Sequence, residues 1–129
     1  MDNKFYVSYE AARLLKEKGY NEECYAAIDE DNDIFEGEYR MNQDLPEWKW
    51  SAPTKSEAID WLESKGIVVM LYMYSILYED YTIKGCWGYR ILQGDELLFT
   101  DNSSNTPTRL EAEEAAIIKA CELLNEKEE

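Results

Sequence analysis

From Ile67 to Tyr78 the chain reads IVVMLYMYSILY, a run of twelve residues without a charge in a sequence that is 32% charged. Taken alternately, the run yields two apolar sets. Ile67, Val69, Leu71, Met73 and Leu77 point one way; Val68, Met70, Tyr72, Tyr74, Ile76 and Tyr78 point the other. A strand with no wet side belongs inside a sheet, with cover on both faces. The run is about half the length that a bilayer-spanning helix needs, so the expectation is a central β-strand of a folded domain. No charged-then-apolar N-terminal segment resembles a secretion signal, which makes the expected location cytoplasmic, away from membranes.

The flanking segments supply the rest of an α+β fold. Ser8 precedes YEAARLLKEKG, in which Ala11, Ala12, Leu14 and Leu15 share a face, so a first helix is expected with Ser8 as N-cap and Gly19 at its end. CYAAI (24–28) and IFEGEYRM (34–41) read as a hairpin around the polar turn DEDND. In its second strand Phe35, Tyr39 and Met41 lie opposite Glu36, Glu38 and Arg40. DLPEWKWSAP has no periodicity and is expected to be a connecting loop between Pro46 and Pro53.

TKSEAIDWLESKG is the second helix, with Thr54 and Glu57 spaced as a capping box and Ala58, Ile59, Trp61 and Leu62 as its buried face. After the apolar run, Glu79-Asp80 is expected to turn the chain into YTIKGCWGYRIL (81–92). Gln93-Gly94-Asp95 then turns it into ELLFT (96–100). The loop DNSSNTP leads to a last helix from Thr108, whose Glu111 repeats the capping box. In that helix Leu110, Ile117, Cys121 and Leu124 recur at helical spacing. The alanines at 112, 116 and 120 beside them allow close approach to a sheet.

The resulting order is α-β-β-α-β-β-β-α, a mainly antiparallel sheet with helices packed on one face. All 129 residues are expected to form one domain: an α-β-β part (1–53), an α-β-β-β-α part (54–125) and a frayed acidic tail (126–129). LLKEKGY and WLESKGI look alike, but helix-ending chemistry alone produces that likeness, so no internal repeat is inferred.

Charge narrows the partners. Twenty-eight acidic and thirteen basic residues leave a net charge of −15, and the excess is even: six basic against thirteen acidic residues up to Trp50, seven against fifteen beyond it. Such a field repels phosphate backbones from every side, so nucleic acid is not an expected ligand.

The chain has no histidine, which removes Ser-His and Cys-His nucleophiles and histidine-ligated zinc. Cys24, Cys86 and Cys121 are odd in number and form no CxxC, consistent with free thiols in a reducing compartment. Cys86, within GCWG, reads as a packed thiol because it lacks a basic partner. Asp29, Asp31 and Asp33 match the first three ligand positions of a calcium loop. The glycine that such a loop needs would fall on Ile34 and its bidentate glutamate on Arg40, so a solvated turn is expected. No carboxylate pair stands out as catalytic, and no cofactor or metal is expected.

The surplus is aromatic. Trp48, Trp50, Tyr72, Tyr74 and Tyr78 are the candidate protein-interface residues, since Trp and Tyr dominate such interfaces. Trp48 and Trp50 are the pair expected outside the core.

Two resemblances bear on this reading. The order α-β-β-β-α from Thr54 to Leu124 and the EAEEAAIIKACELL pattern resemble the double-stranded RNA-binding domain, which implies two helices on one face of a three-stranded sheet. That family's Lys-Lys-x-Ala-Lys cluster, placed on Ala112, falls here on Arg109, Leu110 and Glu113, and only Arg109 is basic. The family's first-to-second strand loop shrinks to Glu79 and Asp80. From Thr108 onward seven glutamates face three basic residues, so the resemblance extends to topology and not to RNA binding.

The chain as a whole is also similar to small uncharacterised proteins common in prophages and mobile elements of gut Bacteroides-type bacteria. The likeness rests on the Tyr6-Val7-Ser8-Tyr9-Glu10-Ala11-Ala12 opening, the Pro53-Thr54 helix start, Trp61-Leu62 and Glu111-Ala112. It implies an accessory role and assigns no site residues. The expected function is therefore a non-enzymatic module that binds another protein or itself. A DNA-mimicking anti-defence or regulatory protein and a small carboxylate-dependent hydrolase are the alternatives.

Overall fold

The computed structural model describes residues 5–77, 79–101 and 108–127. Within these, three helices and six strands follow the order read from the sequence with one addition: α1 (Tyr9–Glu17), β1 (Cys24–Ile28), β2 (Ile34–Arg40), β3 (Trp50–Ser51), α2 (Lys55–Ser64), β4 (Ile67–Leu77), β5 (Ile83–Gln93), β6 (Glu96–Asp101) and α3 (Arg109–Lys127). Pairing is antiparallel throughout but is divided between two three-stranded sheets, β2-β1-β3 and β4-β5-β6. No helix among the described residues is long and apolar enough to cross a membrane.

The helix ends are set by local chemistry. Ser8 Oγ accepts the Ala11 amide at 3.3 Å. At α2 the capping box is complete: Thr54 Oγ1 accepts from the Glu57 amide at 3.2 Å, and Glu57 Oε1 accepts from the Thr54 amide at 2.9 Å. Thr108 Oγ1 accepts the Glu111 amide at 3.2 Å. α2 ends through Lys65 into Gly66, whose φ of 88° is a conformation that a side chain would strain. α3 continues to Lys127, into the tail expected to fray; Glu128 and Glu129 lie outside the described residues.

α3 is the centre of the molecule, packing on α1, α2, β4 and β5. Its alanines at 112, 116 and 120 are fully buried with Ile117 and Cys121, so they are contact residues as the spacing implies. Leu15, Ile28, Leu62, Ile67 and Ile91 complete one continuous core. α2 lies over β4, α3 over β4 and β5, and α1 against α3 and β3.

Four expectations are corrected. The Ile67–Leu77 strand is not central: it is the outer strand of its sheet, with β5 as its sole strand neighbour among the described residues. The reason is long-range. The β1-β2 hairpin takes β3 as its third strand instead of docking on β4, so two sheets form where one was expected.

The segment read as an unbroken loop contains β3, because Trp50 and Ser51 pair with Ile28 and Ala27. The alternation expected in β2 fails because Gly37 and Tyr39 take left-handed φ values of 79° and 48° and the register against β1 shifts between Cys24 and Ala26. Ile34, not Phe35, therefore packs on the core. Lastly, the turn after β4 is wider than Glu79-Asp80: five residues separate Leu77 from Ile83. In that turn Asp80 Oδ1 accepts from the Thr82 amide at 3.1 Å and from its hydroxyl at 2.7 Å.

Candidate functional site

The register of the second sheet sorts its residues into two faces, because directly paired residues of an antiparallel ladder point the same way. Ile67, Val69 and Leu71 of β4 pair with Gln93, Ile91 and Tyr89 of β5, and this face lies in the core under α2 and α3. Burial there pushes the Tyr89 phenol up to about 12. Behind it in α3 the Cys121 thiol is likewise pushed up to about 12, since an apolar surrounding disfavours the thiolate.

On the opposite face Val68, Met70, Tyr72 and Tyr74 pair with Leu92, Arg90, Gly88 and Cys86, and Leu97 of β6 joins them beside Leu92. No helix among the described residues packs on this face. Val68 is exposed, Met70 is 47% exposed and Leu97 54%.

Tyr72 and Tyr74 give the bare face its structure. Their ring centroids lie 6.0 Å apart. The Tyr72 ring crosses β5 at Gly88, where a Cβ would stand 2.6 Å from its Cζ and 2.6 Å from the Asp101 carbonyl oxygen. Only glycine permits that crossing. The Tyr72 hydroxyl then donates to the Asp101 carbonyl at 3.1 Å, tying the outer strand to β6. Arg90 stacks on the same ring at 4.9 Å. Cys86, opposite Tyr74, is fully buried, so the packed-thiol expectation agrees with the structure.

Beyond the helices the β4-β5 hairpin continues as an arm. Met73 and Leu77 are each 66% exposed and Ile83 is 70%, although all three point to the side that the helices cover further down. Tyr81 at the tip, with a φ of 68°, is almost wholly exposed. Bare face and arm share strand β4, but their exposed apolar residues lie on opposite sides of it.

The five aromatic candidates do not form one site. Tyr72 and Tyr74 lie together on the bare face; Tyr78 lies outside the described residues. Trp50 belongs to the other sheet and Trp48 to the turn before it, in different surroundings. Trp48 is 54% exposed, edge-on to Phe35 at 5.8 Å, with Lys49 Nζ 4.9 Å from its ring centre. Trp50, expected outside the core, is instead partly buried against it, edge-on to Tyr9 at 4.9 Å.

Sequence reasoning missed Val68, Met70, Met73, Leu77, Ile83 and Leu97. The signal for the first four was their place in a run with two apolar faces; what concealed them was the assumption that both faces would be covered.

The remaining acidic clusters are engaged locally. Carboxylate oxygens of Asp29, Asp31 and Asp33 lie within 4.8 Å of one another, but Asp29 Oδ1 accepts from the Asp31 and Asp33 amides at 2.9 and 3.0 Å and so closes the hairpin turn. A cleft of about 550 Å³ near the N-termini of α2 and α3 is lined by Lys55, Leu110, Glu111, Glu114 and Ile118 among others. Both oxygens of Glu114 are held by Ser8, from its hydroxyl at 2.6 Å and its amide at 3.1 Å, fixing α1 to α3.

Comparison with known proteins found no match: no protein-family model fits the chain, and no curated protein or solved structure is significantly similar to it.

Proposed function

We propose that this chain is a non-enzymatic accessory protein that binds another protein through the bare face of the β4-β5-β6 sheet and the arm that extends from it. The observation that carries the reading is the exposure of apolar residues on both sides of the β4-β5-β6 sheet of a highly acidic chain: Val68, Met70 and Leu97 on the bare face, and Met73, Leu77 and Ile83 on the opposite side of the arm. Exposed apolar residues gathered on one sheet mark an interaction site more often than scattered ones do. Arg90 and the two tyrosines add residue types that interfaces favour. An accessory role in a prophage or mobile element, which the resemblance of the chain as a whole implies, belongs to the same proposal.

The test is a paired capture from the native host. Wild-type chain and a Met70→Glu/Leu97→Glu variant are compared, with Glu30→Gln/Asp31→Asn as a control on the distant hairpin turn. The reading expects a defined protein to be retained by wild type and control and lost with the face variant, with most of its affinity surviving at high salt. An identical partner set for all three chains would sink it. A basic, DNA-binding partner released steeply by salt would favour charge mimicry, which the −15 net charge supports.

A further inference from the structure

We infer that the outer edge of β4 pairs with β4 of a second copy, in antiparallel sense about a two-fold axis beside Tyr72, joining two three-stranded sheets into one of six strands. The inference rests on reading this region as an interface and names its occupant.

β4 is an eleven-residue outer strand without a charged residue, and its register against β5 runs unbroken from Ile67 to Leu77. Every second residue of such a strand turns an amide and a carbonyl outward, where they can pair with another strand. Full overlap of two copies would form about ten backbone hydrogen bonds.

Two features favour a copy of this chain over a foreign strand. The first is cover. Tyr72 is the midpoint of β4, so the two-fold sets Leu71 opposite the partner's Met73 and Ile67 opposite the partner's Leu77. Met73 and Leu77 are the arm residues that no described helix of their own chain covers. Ile67 and Leu71 lie at the end of the strand where α2 packs. Each arm is thus carried alongside the helix-covered base of the other copy, and the overhang that is unexplained in one chain becomes part of a core shared by two.

The second is the apolar face, which continues across the junction with Tyr72 beside the partner's Tyr72 and Met70 beside the partner's Tyr74. An isologous contact of this kind closes on itself and leaves no further β4 edge to propagate.

The test is sedimentation equilibrium of the full chain from micromolar to several hundred micromolar, at physiological and at high salt. The inference expects a monomer–dimer equilibrium that tightens as salt rises, because two chains of −15 repel over distances that salt screens. Met73→Glu/Leu77→Glu should weaken the dimer on the order of a hundredfold. The monomer should keep its far-ultraviolet circular dichroism and melting midpoint, since both positions are two-thirds exposed there.

Hydrogen exchange gives an independent reading: alternate β4 amides exchange fast in the monomer, and all of them are protected in the dimer. A chain that stays monomeric at several hundred micromolar in high salt overturns the inference. So does a dimer indifferent to the arm variant, or one in which alternate β4 amides still exchange fast. If the chain is monomeric while the face variant still loses its captured protein, the pairing falls and the proposed function stands. If it dimerises through β4 while capture ignores the face, the reverse holds.

Discussion

β2 and β4 are both outer strands, each paired on one side by its hairpin neighbour, and they treat the open side differently. β2 carries Glu36, Glu38 and Arg40 within seven residues, turns through left-handed Gly37 and Tyr39, and loses register against β1. β3, on the far side of that sheet, is two residues long. These are the usual devices by which a solvent-facing edge is kept from pairing with another chain: charge, irregularity and brevity. β4 has none of them over eleven residues. The first sheet has guarded edges; the second has one, along β4, that carries no such guard.

The largest effects should separate the covered from the uncovered part of that second sheet. Ile91 is fully buried in β5 beneath α3, and Ile91→Ala should lower stability by about 3 kcal/mol through lost burial and the cavity left behind. Ile83, eight residues earlier on the same strand and 70% exposed, should change it by less than about 0.5 kcal/mol in the same substitution. Chemical denaturation at low micromolar concentration measures both. Equal losses would mean that the arm is buried in the lone chain, and the contrast with β2 would disappear.

Gly88→Ala comes next. The added methyl meets Tyr72 Cζ and the Asp101 carbonyl at 2.6 Å, so Tyr72 must leave its place across β5 and give up its bond to Asp101. A loss of about 2 kcal/mol is expected. Far-ultraviolet circular dichroism should be kept, and tyrosine fluorescence should report a changed ring environment. A neutral result would show that Tyr72 does not tie β4 to the sheet.

The local parts of this architecture were legible in the sequence. Ser8, Thr54 and Thr108 cap the helices where their spacing places them, and the small residues of α3 reach the sheet, because capping and helical periodicity act within a few residues. The site was legible only in half. Tyr72 and Tyr74 were found, but Trp50 was placed outside a core it packs against, and Met70, Met73, Leu77, Ile83 and Leu97 were passed over. Periodicity reports that both sides of Ile67–Leu77 are apolar. Whether a strand lies on those sides is decided by which distant segment the hairpin β1-β2 adopts as its third strand, and that choice has no local signature. The same holds for β3: two residues that pair with Ile28 and Ala27 are too short to carry a period.

The covered side can also be probed by alkali. The Cys121 thiol is held in its neutral form by burial, with its value raised from 9.0 to about 12. A group whose folded value is raised contributes stability that is fully present below the unfolded value and is lost as pH climbs to the folded one. Stability should therefore fall between pH 9 and 12, by on the order of 1 kcal/mol at pH 10 from this thiol alone. Tyr89, raised from 10.0 to about 12 on the same side, adds to the fall above pH 10. Denaturation midpoints at pH 7 and pH 10 test the sign. A flat profile would mean that water reaches the thiol and that the helix-covered face is not closed.

The smallest effect belongs to the guarded edge. Glu38 of β2 pairs with Lys49 at 2.5 Å, and the lysine also lies 4.5 Å from the Phe35 ring centre and 4.9 Å from that of Trp48. The pair is partly sheltered, with side chains 15% and 18% exposed for Lys49 and Glu38 respectively. Glu38→Gln removes the charge but keeps a polar group near the ammonium, whose aromatic contacts remain, so the loss should be no more than about 0.5–1 kcal/mol. The more telling measurement is association. With Glu36, Arg40 and the left-handed turns still in place, the variant should show no new concentration-dependent species beyond those of wild type. If this one substitution made β2 self-associate as β4 is expected to, the guard would reside in a single carboxylate rather than in the irregular backbone, and the two strands would differ by far less than their geometry implies.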